Sequence, residues 1–512
     1  MNTYFKCLIT IAILFGFSSS AFTADNTVSR EEFLKIIKKM EQMEQKYESK
    51  INNLTSEIET LKTREQTRQD VDVTVLEEDV EELSELMQVV ERKSMLDRVQ
   101  LSAELRTRCD WFDFKEQVPV SSRFGGRSYN SHHEEEVHAL MSNRLRLNLK
   151  SQVSDNLKFS GRLVMYKNWN NSSTGYTKGI VNPYGYTSAR RPEDVNLLVE
   201  RAYADYFFNL GEKFPMALTF GRLPTTDGMP TELRDNTPRK STYPSISFDM
   251  ASDGVALSLG LDKLTGLKQS ALRLIYARIV EDNENRIYNS HESGVEDGEY
   301  YIAQFETMLP GKYFEDIMFV TNFLYFPEVP LSDLSNMQGG ALELVEQHHL
   351  GDSHGITFYL QSLRYMGSNF DWFAGLRLNR KRGPGSPAVY KALGLFDVPF
   401  QFEDENDHAW YVGFRYNIPC KALNNPKIGV EYNHGSKYYL SNSSGSDDPL
   451  DKLNQSGSTW DIYYIQPITK NLTTRIGYTR LNRDYVDGAI SPVKKVDQEI
   501  TNMYFLLDAK FF

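Results

Sequence analysis

The sequence has no apolar run long enough to cross a bilayer as a helix. Its longest, Cys7 to Phe17, falls well short of the roughly 20 residues a spanning helix needs. Over all 512 residues the mean hydropathy is -0.48, which excludes a bundle of membrane helices. Cysteine is scarce, at three residues, and no C-x-x-C-H occurs, so a covalently attached haem is excluded. Positive charge is in deficit: the net charge of -12 argues against a nucleic-acid partner. Aromatics, by contrast, are plentiful at 12%, with 29 Tyr and 29 Phe.

The short apolar run fits a secretory signal over residues 1–21. Lys6 supplies the positive start, Leu8 to Phe17 the apolar stretch, and Ser19-Ser20-Ala21 a small-residue cleavage site. Cleavage is expected after Ala21, with Ala24 the second choice. Export leaves Cys109 and Cys420, which are expected not to pair.

Residues 29–94 read as a periplasmic coiled coil. Ser29-Arg30-Glu31-Glu32 opens a helix as a capping box. Phe33, Ile37, Met40, Tyr47, Ile51, Leu54, Ile58 and Leu61 then recur with gaps of three and four, interrupted only by Glu44. The seam fails over Arg64 to Asp70 and resumes in a shifted register as Leu76, Val80, Leu83, Met87 and Val90. A helix of this length would reach roughly 90 Å. A coiled coil requires partner copies, so an oligomer is expected.

From Val99 the period changes to two. Leu101, Ala103, Leu105 and Thr107 alternate with Ser102, Glu104, Arg106 and Arg108, and similar alternation recurs down the chain. About 16 antiparallel strands are expected. They lie near residues 99–112, 138–150, 156–168, 196–209, 215–222, 254–261, 270–280, 300–309, 316–326, 355–365, 370–379, 409–418, 427–434, 459–467, 471–481 and 500–512. Short links, such as Ser154-Asp155 and Thr469-Lys470, alternate with long polar ones, such as Lys115 to Glu136, Pro224 to Asp253, Pro327 to His354 and Arg380 to His408. That is the layout of an all-β transmembrane barrel over 99–512, with short periplasmic turns and long outer loops.

The closing strand, ending in Phe511 and Phe512, resembles the C-terminal strand of bacterial outer-membrane porins. Glu200-Arg201-Ala202-Tyr203-Ala204-Asp205 and Gly221-Arg222-Leu223-Pro224-Thr225-Thr226-Asp227-Gly228 resemble segments of an uncharacterised porin-like family with an N-terminal coiled coil. The likeness covers most of Ser29 to Phe512. It implies an outer-membrane pore in contact with membrane lipid that assembles as a homotrimer, and it implies no particular solute.

In a pore the chemistry lies in fixed lumen charges. Arg106, Arg108, Arg144, Arg146, Arg162 and Arg201 are expected to point inward as a pore wall that favours anions, or else merely to pair with Glu104, Asp110 or Asp205 and keep the wall hydrated. In general porins the third outer loop narrows the barrel. By that resemblance Asp227, Glu232, Arg234, Asp235, Arg239 and Lys240 are constriction residues, against the alternative of a solvated surface loop. His132, His133 and His138 with Glu134 to Glu136, and His348, His349 and His354, lack a frame to fix ligand geometry and are read as solvated loop side chains rather than metal ligands. No nucleophile–base constellation stands out, so neither an enzyme nor a cofactor is expected. The expected function is passive diffusion of small hydrophilic solutes with a weak anion preference. The alternatives are a structural barrel linking outer membrane to cell wall, and a sheath for a separate electron carrier.

Overall fold

The computed structural model describes residues 99–120, 129–169, 197–211, 214–280, 298–311, 313, 317–329, 342–346, 349–385, 388–392, 396–439, 441, 447–486, 490–491 and 493–511. The expected signal peptide and coiled coil lie outside these, apart from residues 49, 50, 53, 55 and 56, which are helical. The chain divides into two units, Met1–Arg92 and Lys93–Phe512.

The second unit is built from β1 (Val99–Val120), β2 (Tyr129–Ser154), β3 (Leu157–Asn168), β4 (Leu198–Leu210), β5 (Phe214–Arg222), β6 (Asp253–Gly260), β7 (Ala271–Val280), β8 (Gly298–Met308), β9 (Ile317–Phe326), β10 (Leu342–Glu346), β11 (Asp352–Ser362), β12 (Phe370–Arg382), β13 (Ala388–Ala392), β14 (Phe396–Phe402), β15 (Asn406–Asn417), β16 (Lys427–Gly435), β17 (Ser456–Pro467), β18 (Leu472–Val486), β19 (Ile490–Ser491) and β20 (Lys494–Phe511). Sixteen of them, all but β10, β13, β14 and β19, pair neighbour to neighbour into one closed barrel. The seam is β1 against β20, antiparallel, from Ala103 opposite Phe511 to Gln117 opposite Asp497. Closure satisfies the backbone of every strand and leaves the barrel without an edge, which an apolar solvent demands.

Each of the sixteen expected runs falls on a barrel strand. Two loop readings are corrected. β1 and β2 continue past the expected ends and stay paired to Val120 and Tyr129, so the backbone of His132 and His133 lies in β2, opposite Gln117 and Glu116. The connections 327–354 and 380–408 contain β10, β13 and β14, which join β19 in a separate four-stranded sheet. Ladder hydrogen bonds need only backbone. Away from lipid a strand has no apolar face to keep, so its side chains need not alternate.

Alternation does govern the barrel wall. Leu376 and Leu378 of β12 are exposed, whereas Phe373 and Arg377 of the same strand are buried. The outward face carries aliphatic residues such as Val255, Leu274, Ile356, Ile462 and Ile476. Aromatics gather toward its two ends. Near the long connections Tyr276, Tyr301 and Tyr325 lie side by side on β7, β8 and β9, and Trp410, Tyr432 and Trp460 on β15, β16 and β17. Near the short turns stand Tyr206 with Phe208, Phe370 with Tyr416, and Tyr365 with Trp372. An aliphatic band between two aromatic girdles is the outer surface of a barrel that crosses a membrane.

Candidate pore constriction

The connection between β5 and β6, residues 223–252, folds into the barrel. Leu223, Met229, Leu233, Ile246, Phe248 and Ala251 are all buried. The segment is braced on itself: Leu223 N–H donates to Ser252 O at 2.8 Å, Met250 N–H to Thr225 O at 3.0 Å, and Met229 and Ser245 bond Tyr243 O and Met229 O at 3.0 and 2.9 Å. A short helix, α1 (Thr231–Asp235), sits at its tip. Two glycines permit this path. Gly221 has φ +112, and a Cβ there would meet Ala202 O at 2.4 Å. A Cβ on Gly228 would lie 2.8 Å from Ser245 N.

The loop is fastened to opposite sides of the wall by different forces. Toward β9, β11, β12 and β15 the contact is largely apolar: Met229, Leu233 and Ile246 pack with Val320, Tyr359, Phe373 and Tyr411. The loop carbonyls there are met by wall donors. Tyr411 Oη donates to Met229 O at 2.7 Å, Arg415 Nη1 to Leu233 O at 2.6 Å, and Arg377 Nη1 to Ile246 O at 3.1 Å.

Toward β1–β4 the contact is ionic. All six arginines expected on the pore wall are buried. Asp227 of the loop takes Arg146 at 3.1 Å, Arg162 at 2.7 Å and Arg201 at 3.3 Å. Asp235 takes Arg106 at 2.7 Å and Arg475 at 3.5 Å. Arg108 is held within its own strand by Asp110 at 2.6 Å and lies over the Tyr504 ring. Of the carboxylates named as possible partners, Asp110 holds Arg108 and Glu104 lies 3.9 Å from Arg144; Asp227, Asp235, Asp447, Glu200 and Asp508, which were not named, also pair with the six.

The remaining constriction candidates also lie on this loop. Glu232 accepts from Gln361 Nε2 at 2.8 Å. Arg234 faces Glu431 at 3.7 Å, Arg239 faces Glu306 at 3.4 Å, and Lys240 faces Asp235 at 3.5 Å. Burial pushes the Glu232 carboxyl above its usual range despite the Gln361 bond. Burial acts on Asp235 in the same sense, but Arg106, Lys240 and Arg475 outweigh it and hold that carboxyl well below the usual range.

A second inward segment, in the connection between β16 and β17, was not legible as such. Leu450, Asp451 and Lys452 are buried. Asp447 accepts from Arg106 at 3.2 Å and also from Arg144. Lys452 lies 3.0 Å from Glu431 and bonds Asp461. Glu200 was likewise missed as a site residue. A register shift between β3 and β4 pairs Arg162 with Arg201 and Leu163 with Val199, so Glu200 is the extra residue of a bulge. The bulge turns Glu200 and Arg201 inward together, and Glu200 lies 3.2 Å from Arg146. Between the two inward segments and the wall remains a polar cavity of about 30 Å³, lined by Arg106, Arg108, Arg475, Asp448, Asp461 and Tyr504.

His354 lies in β11, and His349 in an isolated bridge before it; the side chains of His132 and His133, and all of His348, lie outside the described residues. Cys109 in β1 and Cys420 in the turn after β15 are both free.

A closed sixteen-stranded antiparallel barrel, apolar and girdled outside and charged within, defines a transmembrane β-barrel of porin architecture. Residues 134–505 match the model of a family described as a protein of unknown function, DUF3373, and the chain belongs to that family. No curated protein matches it. Among solved structures it is similar to Pseudomonas putida OprB, in a high-pH structure, at 11% identity over 82% of this chain and 96% of that one, with a TM-score of 0.46. It is also similar to Salmonella typhi OmpF in complex with daunomycin, at 12% identity over 80% of this chain and 97% of that one, with a TM-score of 0.40.

Proposed function

We propose that the protein is an outer-membrane channel for passive diffusion of small hydrophilic solutes, with a weak anion preference and no enzymatic activity. The observation that carries this is the lumen of a sixteen-stranded barrel lined with charge. Barrels of 16–18 strands enclose an aqueous path, whereas eight-stranded ones are filled by their own side chains. The weak preference has a physical source. Buried arginines and lysines number eleven against twelve buried aspartates and glutamates among the described residues, so the loop-in conformation is close to neutral. The arginines of β1–β4, however, are fixed to the wall, while Asp227, Asp235 and Asp447 belong to connections. Any outward movement of those connections leaves a cationic wall.

The N-terminal segment would lie in the periplasm and assemble the protein as an oligomer, a trimer by likeness to porins. A second reading, a plugged structural barrel joining membrane to cell wall, is favoured by the bonding of residues 223–252 to both sides of the wall. Planar-bilayer recording separates the two. Discrete conductance steps with an anion-directed reversal potential in a salt gradient support the channel. A purified, folded barrel that gives no steps at any voltage supports the plug.

A further inference from the structure

We propose that Arg146, Arg162 and Arg201 form a carboxylate-binding site for the transported solute, occupied in this conformation by the loop's own Asp227. The proposal rests on the channel reading and names the solute class that the channel would favour.

Three guanidinium groups converge from three successive strands, β2, β3 and β4. Arg162 and Arg201 are direct cross-strand partners. Like charges directly opposite one another destabilise a sheet, so the pair needs an anion between its members. The wall supplies Glu200 of the bulge, 3.2 Å from Arg146 and 3.8 Å from Arg162, and Glu104 of β1, the cross-strand partner of Arg146. The anion that touches all three arginines is Asp227, whose side chain is 1% exposed.

That carboxylate is delivered, not built into the wall. It stands on a connection, in left-handed backbone with φ 61, directly before Gly228. Thr226 Oγ1 beside it accepts from Arg201 Nε at 3.0 Å and donates to Glu200 at 2.9 Å, which aligns the segment on the cradle. The guanidinium is a planar fork suited to carboxylate oxygens, so a carboxylate on a free solute meets the geometry that Asp227 meets now. Once Asp227 leaves, three guanidiniums face the two wall carboxylates Glu200 and Glu104, and the cradle is left one negative charge short, which matches one carboxylate of a solute.

Asp227 competes as a tethered ligand. A tether of this kind gives an effective concentration on the order of millimolar or above, so a free carboxylate exchanges with it only at comparable concentrations. The loop would then act as a selectivity latch: chloride cannot engage three forks at once, whereas a carboxylate replaces the latch and holds the cradle while the loop is away.

Calorimetric titration of malonate into the full-length protein in detergent, at ionic strength fixed with sodium chloride, reads the site without reference to conduction. Asp227→Asn is expected to bind malonate more tightly than wild type by on the order of tenfold or more, because the internal competitor is gone. Adding Arg162→Gln to that variant should remove the gain. Asp227→Ser carries the same test if the asparagine variant loses its heat-modifiable gel mobility. Equal affinity in the charge-removed variants and wild type, or a gain that survives Arg162→Gln, overturns the proposal. A gain in affinity together with silent bilayers supports the site and overturns the channel reading instead.

Discussion

The guanidinium of Arg162, fixed in the wall by β3, lies 2.7 Å from the carboxylate of Asp227, which reaches it from the connection between β5 and β6. The two are 65 positions apart in sequence. One partner stands on a barrel strand and the other on a connection, so in the proposed channel the charge facing an ion would change with any movement of that connection.

Reversing the wall charge should reverse the preference. Arg144 bonds Asp447, and Arg146 bonds Asp227, so Arg144→Glu with Arg146→Glu sets carboxylate against carboxylate in both places. Both connections should be pushed from the wall, with larger conductance and a cation-directed reversal potential in a tenfold potassium chloride gradient. A reversal potential unchanged from wild type would remove these arginines from the selectivity mechanism.

Lys452 is 3% exposed and lies between Glu431 and Asp461, so replacing it removes a buried cation from two buried carboxylates, which keep Arg234 at 3.7 Å and the hydroxyls of Tyr504 and Thr479 as partners. Breaking a buried ion pair from one side costs about 3–5 kcal/mol. Lys452→Met should therefore lower the temperature at which the barrel loses its heat-modifiable mobility. Adding Glu431→Gln and Asp461→Asn should recover most of the loss. An unshifted transition in the single variant would show that the ammonium holds nothing.

The inward loop should respond to pH through Glu232, whose carboxyl is raised by burial. A carboxyl with a raised value binds its proton more readily in the packed loop than in a released one. The packed state is therefore favoured at low pH and loses stability as pH rises above the ordinary glutamate value of about 4.3. Asp235 acts in the opposite sense, since its lowered carboxyl loses stabilising charge as pH falls. Glu232→Gln keeps a polar group beside Gln361 and removes the titration. Its channel should show fewer open events than wild type at neutral pH, and a flatter dependence of open events on pH above the glutamate range. Identical pH profiles in the two proteins would exclude Glu232 as the titrating group.

The lipid-facing assignment is testable at Ile462, 48% exposed on the outer face of β17. Arginine there would sit in the apolar band, at a cost of about 2–4 kcal/mol near the midplane. Ile462→Arg should reduce spontaneous insertion into phospholipid vesicles, while Thr459→Ser on the buried face of the same strand should not. Equal insertion of both variants would argue that this face does not meet lipid.

The barrel strands were legible because one physical constraint repeats sixteen times: lipid on one side, water-compatible groups on the other. That same constraint placed the six arginines inward. It says nothing where lipid is absent, which is why β10, β13, β14 and β19 read as loop and why β1 and β2 seemed to end early. The partners of the arginines were harder still. Arg106 meets Asp235, Asp447 and Asp508, and no local spacing links those positions. The inward fold of 223–252 did leave a trace, since Met229, Leu233, Ile246 and Phe248 are more apolar than a solvated loop warrants. Leu450 beside Lys452 was a similar trace in the second inward segment.

The seam has a consequence for how the molecule is made. Arg106 of β1 bonds Asp508 of β20 across 402 positions of sequence. Until β20 arrives, β1 presents an unpaired row of amides and carbonyls, an edge that invites aggregation. No partial barrel relieves this, because every intermediate sheet has two such edges. The β1–β20 pairing joins strands at the far ends of the barrel sequence and carries the greatest loop-closure cost of the barrel's pairings.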